Sequence, residues 1–237
     1  MKQLEVSTKS LNAALGIIGL LPALVIVTVI RLREGQLVVA GQAMAEYDLT
    51  RLTATLISLL LPVFLILPMA LAAAKLTTKA NTLAALTAPL WLFGPAILTG
   101  VLVGGRGPGA PLMALLLLCL LQWCLCLWVN LLTKLTSLAL AVLAYGAVWG
   151  ISGYVDHLRL YVLPYLETSW ASAVGYLSWL LPQVKSGPSL IDDFLTVGEL
   201  DWLGLGPTAL QIPILFAALF LLNRKGTKAE SIPQNEA

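Results

Sequence analysis

The chain is patterned as uncharged apolar runs bounded by charged or polar breaks. Six such runs stand out: Leu11 to Ile30, Leu52 to Ala74, Leu83 to Val103, Leu112 to Leu132, Leu135 to Gly153 and Leu203 to Asn223. Each is near the roughly 20 residues that carry a helix across a ~30 Å hydrocarbon core, and a helix is the single-segment structure that satisfies its own backbone in lipid. The pattern therefore predicts an all-α integral membrane protein with six transmembrane helices. The breaks have physical causes in Lys75 and Lys79 with Asn81, in the turn Gly104-Gly105-Arg106-Gly107-Pro108-Gly109, and in Thr133-Lys134. Pro22, Pro62, Pro68 and Pro95 fall inside runs and predict kinks in the first three helices.

Orientation follows from where the cations collect. With the N-terminus inside, the inner segments hold Lys2, Lys9, Lys75, Lys79, Lys134, Arg224, Lys225 and Lys228, and the outer ones hold Arg31, Arg33, Arg51, Arg106, Arg159 and Lys185. The inner segments are much shorter, so cationic density favours both termini in the cytoplasm (N-in, C-in) and a multi-pass protein of the inner, or plasma, membrane. Arg31 and Arg33, directly after the first run, weigh against this orientation.

The connections are unequal. Tyr154 to Trp202 forms a long outer segment between the fifth and sixth helices. Its first half, Leu160 to Val184, is apolar and aromatic but is broken by Pro164 and Pro182 and interrupted by Glu167. That combination predicts a re-entrant helical hairpin dipping into the outer leaflet, and the acidic, amphipathic Ser186 to Trp202 predicts a surface helix. The remaining divisions are a short cytoplasmic N-terminal arm over residues 1–10, a transmembrane domain over 11–225, and a polar cytoplasmic tail over 226–237 expected to be disordered.

Composition agrees with the pattern: 59% of the 237 residues are hydrophobic and 11% charged, against about 25% charged in a soluble domain. The net charge of +2 is too balanced for a nucleic-acid binder. Cys119, Cys124 and Cys126 share one apolar run and read as lipid-facing or packing thiols; with His157 as the one histidine, a zinc site is short of ligands. The chain is expected to bind no cofactor or metal and to have no catalytic residues of its own. No P-loop occurs, and the glycines from Gly104 to Gly109 are neither a Walker A loop nor a dinucleotide fingerprint.

Gly150-Ile151-Ser152-Gly153 matches the G-x-S-G form around the serine of rhomboid intramembrane proteases, but a serine nucleophile needs a base on a facing element, and His157 is five residues away. Gly146, Gly150 and Gly153 read instead as a small-residue face for close helix approach. The runs hold almost no ionisable residues, which disfavours ion-coupled transport or voltage sensing. Thr28, Ser58, Thr99, Gln122, Asn130, Ser137 and Gln211 are expected to make helix–helix hydrogen bonds.

The inner turn Lys75-Leu76-Thr77-Thr78-Lys79-Ala80-Asn81-Thr82 is short, polar and cationic, and reads either as a plain positive-inside loop or as a helix on the cytoplasmic surface that docks into a soluble partner. Lys75 and Lys79 are spaced to share a helical face, Thr77, Thr78 and Asn81 have groups for bonding to a partner groove, and the loop around Lys134 offers a second, smaller contact. This architecture resembles the membrane (permease) subunits of type 2 ABC exporters, most of all the small permeases of the copper-enzyme-maturation and gliding-motility group. Local texture resembles them too: Leu121 to Tyr145 with its polar break at Asn130 to Ser137, Trp179-Leu180-Leu181-Pro182-Gln183, Asp193-Phe194-Leu195, and a final run ending Asn223-Arg224-Lys225. Many members carry a long N-terminal amphipathic helix and a Glu-x-x-x-Gly-Thr region after the second span; this chain has neither string.

The resemblance implies a half-transporter that pairs with a second permease copy or a homologous permease and with two ABC ATPase subunits, which hold the ATP and Mg. The lipid bilayer is the other expected partner, and Lys75, Thr77, Thr78, Lys79, Asn81 and Lys134 become the ATPase-coupling residues. A non-transporting membrane scaffold or assembly subunit is the alternative from another class, and an intramembrane hydrolase stands third.

Overall fold

The structure is a computed structural model that describes residues 8–33, 36–39, 42–44, 55, 59–74, 78–104, 109–157 and 202–230. Among them are six helices: α1 (Thr8–Val29), α2 (Leu61–Ala73), α3 (Thr78–Gly104), α4 (Gly109–Leu135), α5 (Leu138–His157) and α6 (Trp202–Glu230). Each falls on one of the apolar runs. Three contain stretches long and apolar enough to cross a membrane, namely Lys9–Val27 in α1, Ala80–Leu102 in α3 and Gly109–Leu135, the whole of α4; Leu61–Ala73, Leu138–Ile151 and Gly206–Leu222 are shorter apolar helices. The expected outer hairpin and surface helix fall almost wholly on residues 158–201, outside the described residues.

The body of the molecule is helical as the pattern requires, with one departure. Directly after α1 the chain forms a three-stranded antiparallel meander, β1 (Ile30–Arg33), β2 (Gln36–Val39) and β3 (Gln42–Met44), paired in sequence order. Arg33 pairs with Gln36 and Val39 with Gln42, so each connection is two residues long.

The second helix is shorter than its apolar run. It begins at Leu61 with a proline, Pro62, in its first turn, where the missing N–H has no intrahelical partner to lose. The third run is longer than expected, because α3 already starts at Thr78 and takes in five residues of the turn drawn over Lys75 to Thr82. At the other end of the chain, α6 continues to Glu230, so the first residues of the expected tail are helical.

The helix α4 is the hub. It packs against α2, α3, α5 and α6, whereas α1 leans chiefly on α3. Burial follows: in the apolar 18-residue window of each helix, 56% is buried in α4, against 39% in α3 and 28% in α1. The main core sets Phe64, Leu67 and Leu71 of α2 and Ala84, Ala88, Leu92 and Phe93 of α3 against Leu118, Leu121 and Leu125 of α4, with Tyr145 of α5 at its side. The alanines of α3 let its neighbours come close, and Phe64 and Phe93 fill the resulting layer with ring centroids 5.6 Å apart at 54°. Large apolar side chains on the outer faces, such as Leu20, Leu24, Leu98, Leu143 and Phe220, are exposed, a surface suited to lipid.

The seam between α1 and α3 is made by backbone. Leu15, Gly19, Ala23 and Ile26 recur at helical spacing and are buried. A Cβ added to Gly19 would lie 2.4 Å from the Leu92 carbonyl oxygen and 2.5 Å from that of Trp91. Pro95 explains why that carbonyl is available: lacking an N–H, it cannot bond back four residues to Trp91. The close approach expected at Gly146 and Gly150 is absent, since a Cβ at either would meet nothing within 4 Å among the described residues. Small residues permit close packing in lipid, but a helix must be there to use them, and α5 turns these two away from its neighbours.

Candidate functional site

The helices α3 and α4 have 27 residues each, are joined through residues 105–108 and pack against one another, so they form an antiparallel hairpin. The start of α3 and the end of α4 therefore lie at the same end of the bundle. Short connections, 75–77 from α2 and Thr136-Ser137 into α5, bring two more helix ends there. This end gathers the described members of the sequence-derived coupling set: Thr78 and Lys79 in the first turn of α3, Asn81 one turn in, and Lys134 in the last turn of α4. Lys75 and Thr77 lie outside the described residues.

These positions are not equivalent. Asn81, expected to face a partner groove, is buried, and its Oδ1 has no hydrogen-bond partner among the described residues. Helical periodicity turns it toward the bundle once α3 starts at Thr78 rather than after Thr82. Lys134 is exposed, and as a cation in the last turn of α4 it complements the partial negative charge of the helix end. Its corner is tied off by its own side chains. Thr133 Oγ1 donates to the Asn130 carbonyl at 2.9 Å, and Thr136 donates both its N–H at 2.8 Å and its Oγ1 at 2.7 Å to the Leu132 carbonyl, which closes the helix end. Ser137 then caps α5, its Oγ accepting from Leu140 N–H at 3.4 Å. Lys134 through Leu140 form a continuous exposed corner built on these bonds.

A second polar feature lies within the bundle, around α4. Trp128 Nε1 donates to Gln211 Oε1 at 2.9 Å, and Cys124 Sγ donates to the same oxygen at 3.5 Å, so α4 and α6 are joined through one buried amide. On another side of α4, Gln122 Nε2 donates to Cys126 Sγ at 3.9 Å, while Gln122 Oε1 and the Tyr145 hydroxyl are buried with no hydrogen-bond partner among the described residues. Of the polar residues expected to bridge helices, Gln211 does so. Gln122 bonds within its own helix, Thr99 returns its hydroxyl to the Pro95 carbonyl at 2.7 Å, and Ser137 is a cap. Ser58 lies outside the described residues. Trp128 was not singled out by sequence; its signal is an indole N–H one helical turn from Cys124 on an otherwise apolar helix.

The chemistry available here is that of neutral hydrogen bonding. The three thiols are free and buried, which makes them packing groups. Among the described residues no three of His, Cys, Asp and Glu come together. Ser152 and His157 both lie on α5, five residues apart, which places them about 140° apart around the helix and about 7.5 Å apart along it. No family model, curated protein or solved structure matches the chain.

Proposed function

We propose that this chain is the permease subunit of an ATP-driven type 2 ABC exporter, with six membrane-spanning helices, both termini in the cytoplasm and a re-entrant outer hairpin before the last helix. It pairs with a second permease and with two separate ATPase subunits that hold ATP and Mg, and it has no catalytic residues of its own. The observation that carries the reading is the convergence of two short helix connections at one end of a hub-centred bundle, with cationic residues at both: Lys79 where α3 begins and Lys134 where α4 ends. A soluble motor needs such paired, rigid ends to grip, because motion passes into a bundle through helix termini more faithfully than through long loops. Burial of Asn81 shifts the weight of coupling from the α2–α3 turn toward the exposed corner at Lys134.

The test is affinity capture of the chain from native membranes followed by identification of soluble partners. Recovery of a P-loop ATPase with ATP hydrolysis that depends on this chain is the expected result. Capture of membrane proteins only, with no ATPase, favours the scaffold reading and overturns this one. Purified chain that hydrolyses ATP alone also overturns it.

A further inference from the structure

We infer that the seam between α4 and α6 is a latch that opens during the working cycle, fastened by the bonds from Trp128 and Cys124 to Gln211; the inference rests on the permease reading for its driving force. Among the described elements, α6 has its principal contact with α4. Its apolar share of that contact is small and separate from the main core: Cys124, Leu127 and Leu215 are buried, with half-buried neighbours around them. In lipid, apolar faces gain little from each other that lipid tails do not also offer, so the fastening falls on packing and on the polar bonds. A bond of this kind is modest in a membrane, enough to fix register and little enough to be broken by a motor.

The helix is also softened where it is fastened. Pro207 and Pro213 stand on either side of Gln211, and each removes one backbone bond, which leaves the carbonyls of Leu203 and Ala209 without their usual donors. A helix interrupted twice within two turns bends there at low cost. The helix α1 carries a single internal proline, Pro22, and its backbone is seated on α3 at Gly19. Fastening by one amide, a small private cluster and a paired proline break together describe an element built to part from the hub and return to the same register.

The native thiol of Cys124 supplies the test, because it faces Gln211 across the seam. In a chain carrying Cys119→Ala, Cys126→Ala and Gln211→Cys, a short bis-methanethiosulfonate linker, which spans the reach lost with the amide and leaves disulfides that dithiothreitol cleaves, should join the two helices. The expected result is a cross-linked chain that still binds its ATPase and whose complex loses ATP turnover by about tenfold or more, restored by dithiothreitol, as when lid opening limits a cycle. A cross-link that leaves turnover unchanged overturns the latch alone, as does failure of the cross-link to form. Absence of a bound ATPase from the reduced chain sinks the permease reading instead. Spin labels at Lys134 and Leu221 then decide the latch without a motor: two separations that collapse to one on cross-linking support it, and a single unchanged separation refutes it. Should Gln211→Cys not fold, Trp128→Phe in the native chain, which removes the donor and keeps the ring, should shift the same label pair toward the longer separation; no shift counts against the latch.

Discussion

Two helices at the edge of this bundle are held in opposite ways. The helix α1 sits on α3 with backbone against backbone at Gly19, over a carbonyl that Pro95 leaves without its donor. The helix α6 stands on α4 through side chains, with Gln211 accepting from Trp128 and Cys124. Lipid offers no hydrophobic drive for either, so each seam uses one of the two devices that remain, close packing or polar bonding. Close packing tolerates no insertion and gives a fixed joint. A polar bond tolerates separation because both partners can find other partners, and gives a joint that can be remade.

The sharpest way to break this comparison is Gly19→Leu. The Cβ alone already meets two carbonyl oxygens, so the change should cost more than about 4 kcal/mol and abolish the monodisperse species in size-exclusion chromatography. Gly19→Ala should act in the same direction less severely; a Gly19→Leu protein that behaves as native would show that α1 is not seated by backbone. Gln211→Leu should cost about 1–2 kcal/mol, read as a modest fall in thermal unfolding temperature in detergent. Combined with Gly19→Ala its effect should add, since the two seams share no residue; strong non-additivity would mean the edges are one unit. Ser137→Ala should cost about 1 kcal/mol, seen locally as faster hydrogen exchange at the Leu140 amide. Smallest of all, Gly146→Ala should be neutral or stabilising by up to about 1 kcal/mol, because open space surrounds the position and alanine is the better helix former. A loss there would reveal another helix on α5 and make a third seam of the first kind.

The places of the six described helices were legible because long uncharged apolar runs favour helices, which satisfy their own backbone. The sheet was not, although Gly35 and Gly41, six apart between short runs rich in Leu and Val, are a hairpin signal that the neighbouring long helices overshadow. Which glycines are used was also beyond the pattern. Gly16 and Gly19 in α1 and Gly146 and Gly150 in α5 look alike in sequence, and packing partners decide between them. In the candidate site the cationic ends were readable from charge alone. The direction of Asn81 was not, because it depends on where α3 begins, and helix starts shift by a residue or two without altering composition. One consequence is practical: Thr78 is the first residue of α3, a position where proline is accommodated, so a change meant to disrupt that end belongs a turn further in.

The dependence of α1 on α3 has a bearing on how the protein is made. During synthesis α1 is complete at Val29, but the surface that receives Gly19 does not exist until Leu92 has left the ribosome. At about 5–20 residues per second, that interval lasts on the order of several seconds. Through it the first helix has its glycine face bare. Any chaperone or insertase that shields nascent helices has its clearest client here, and the moment of its release is set by the arrival of Trp91 and Leu92.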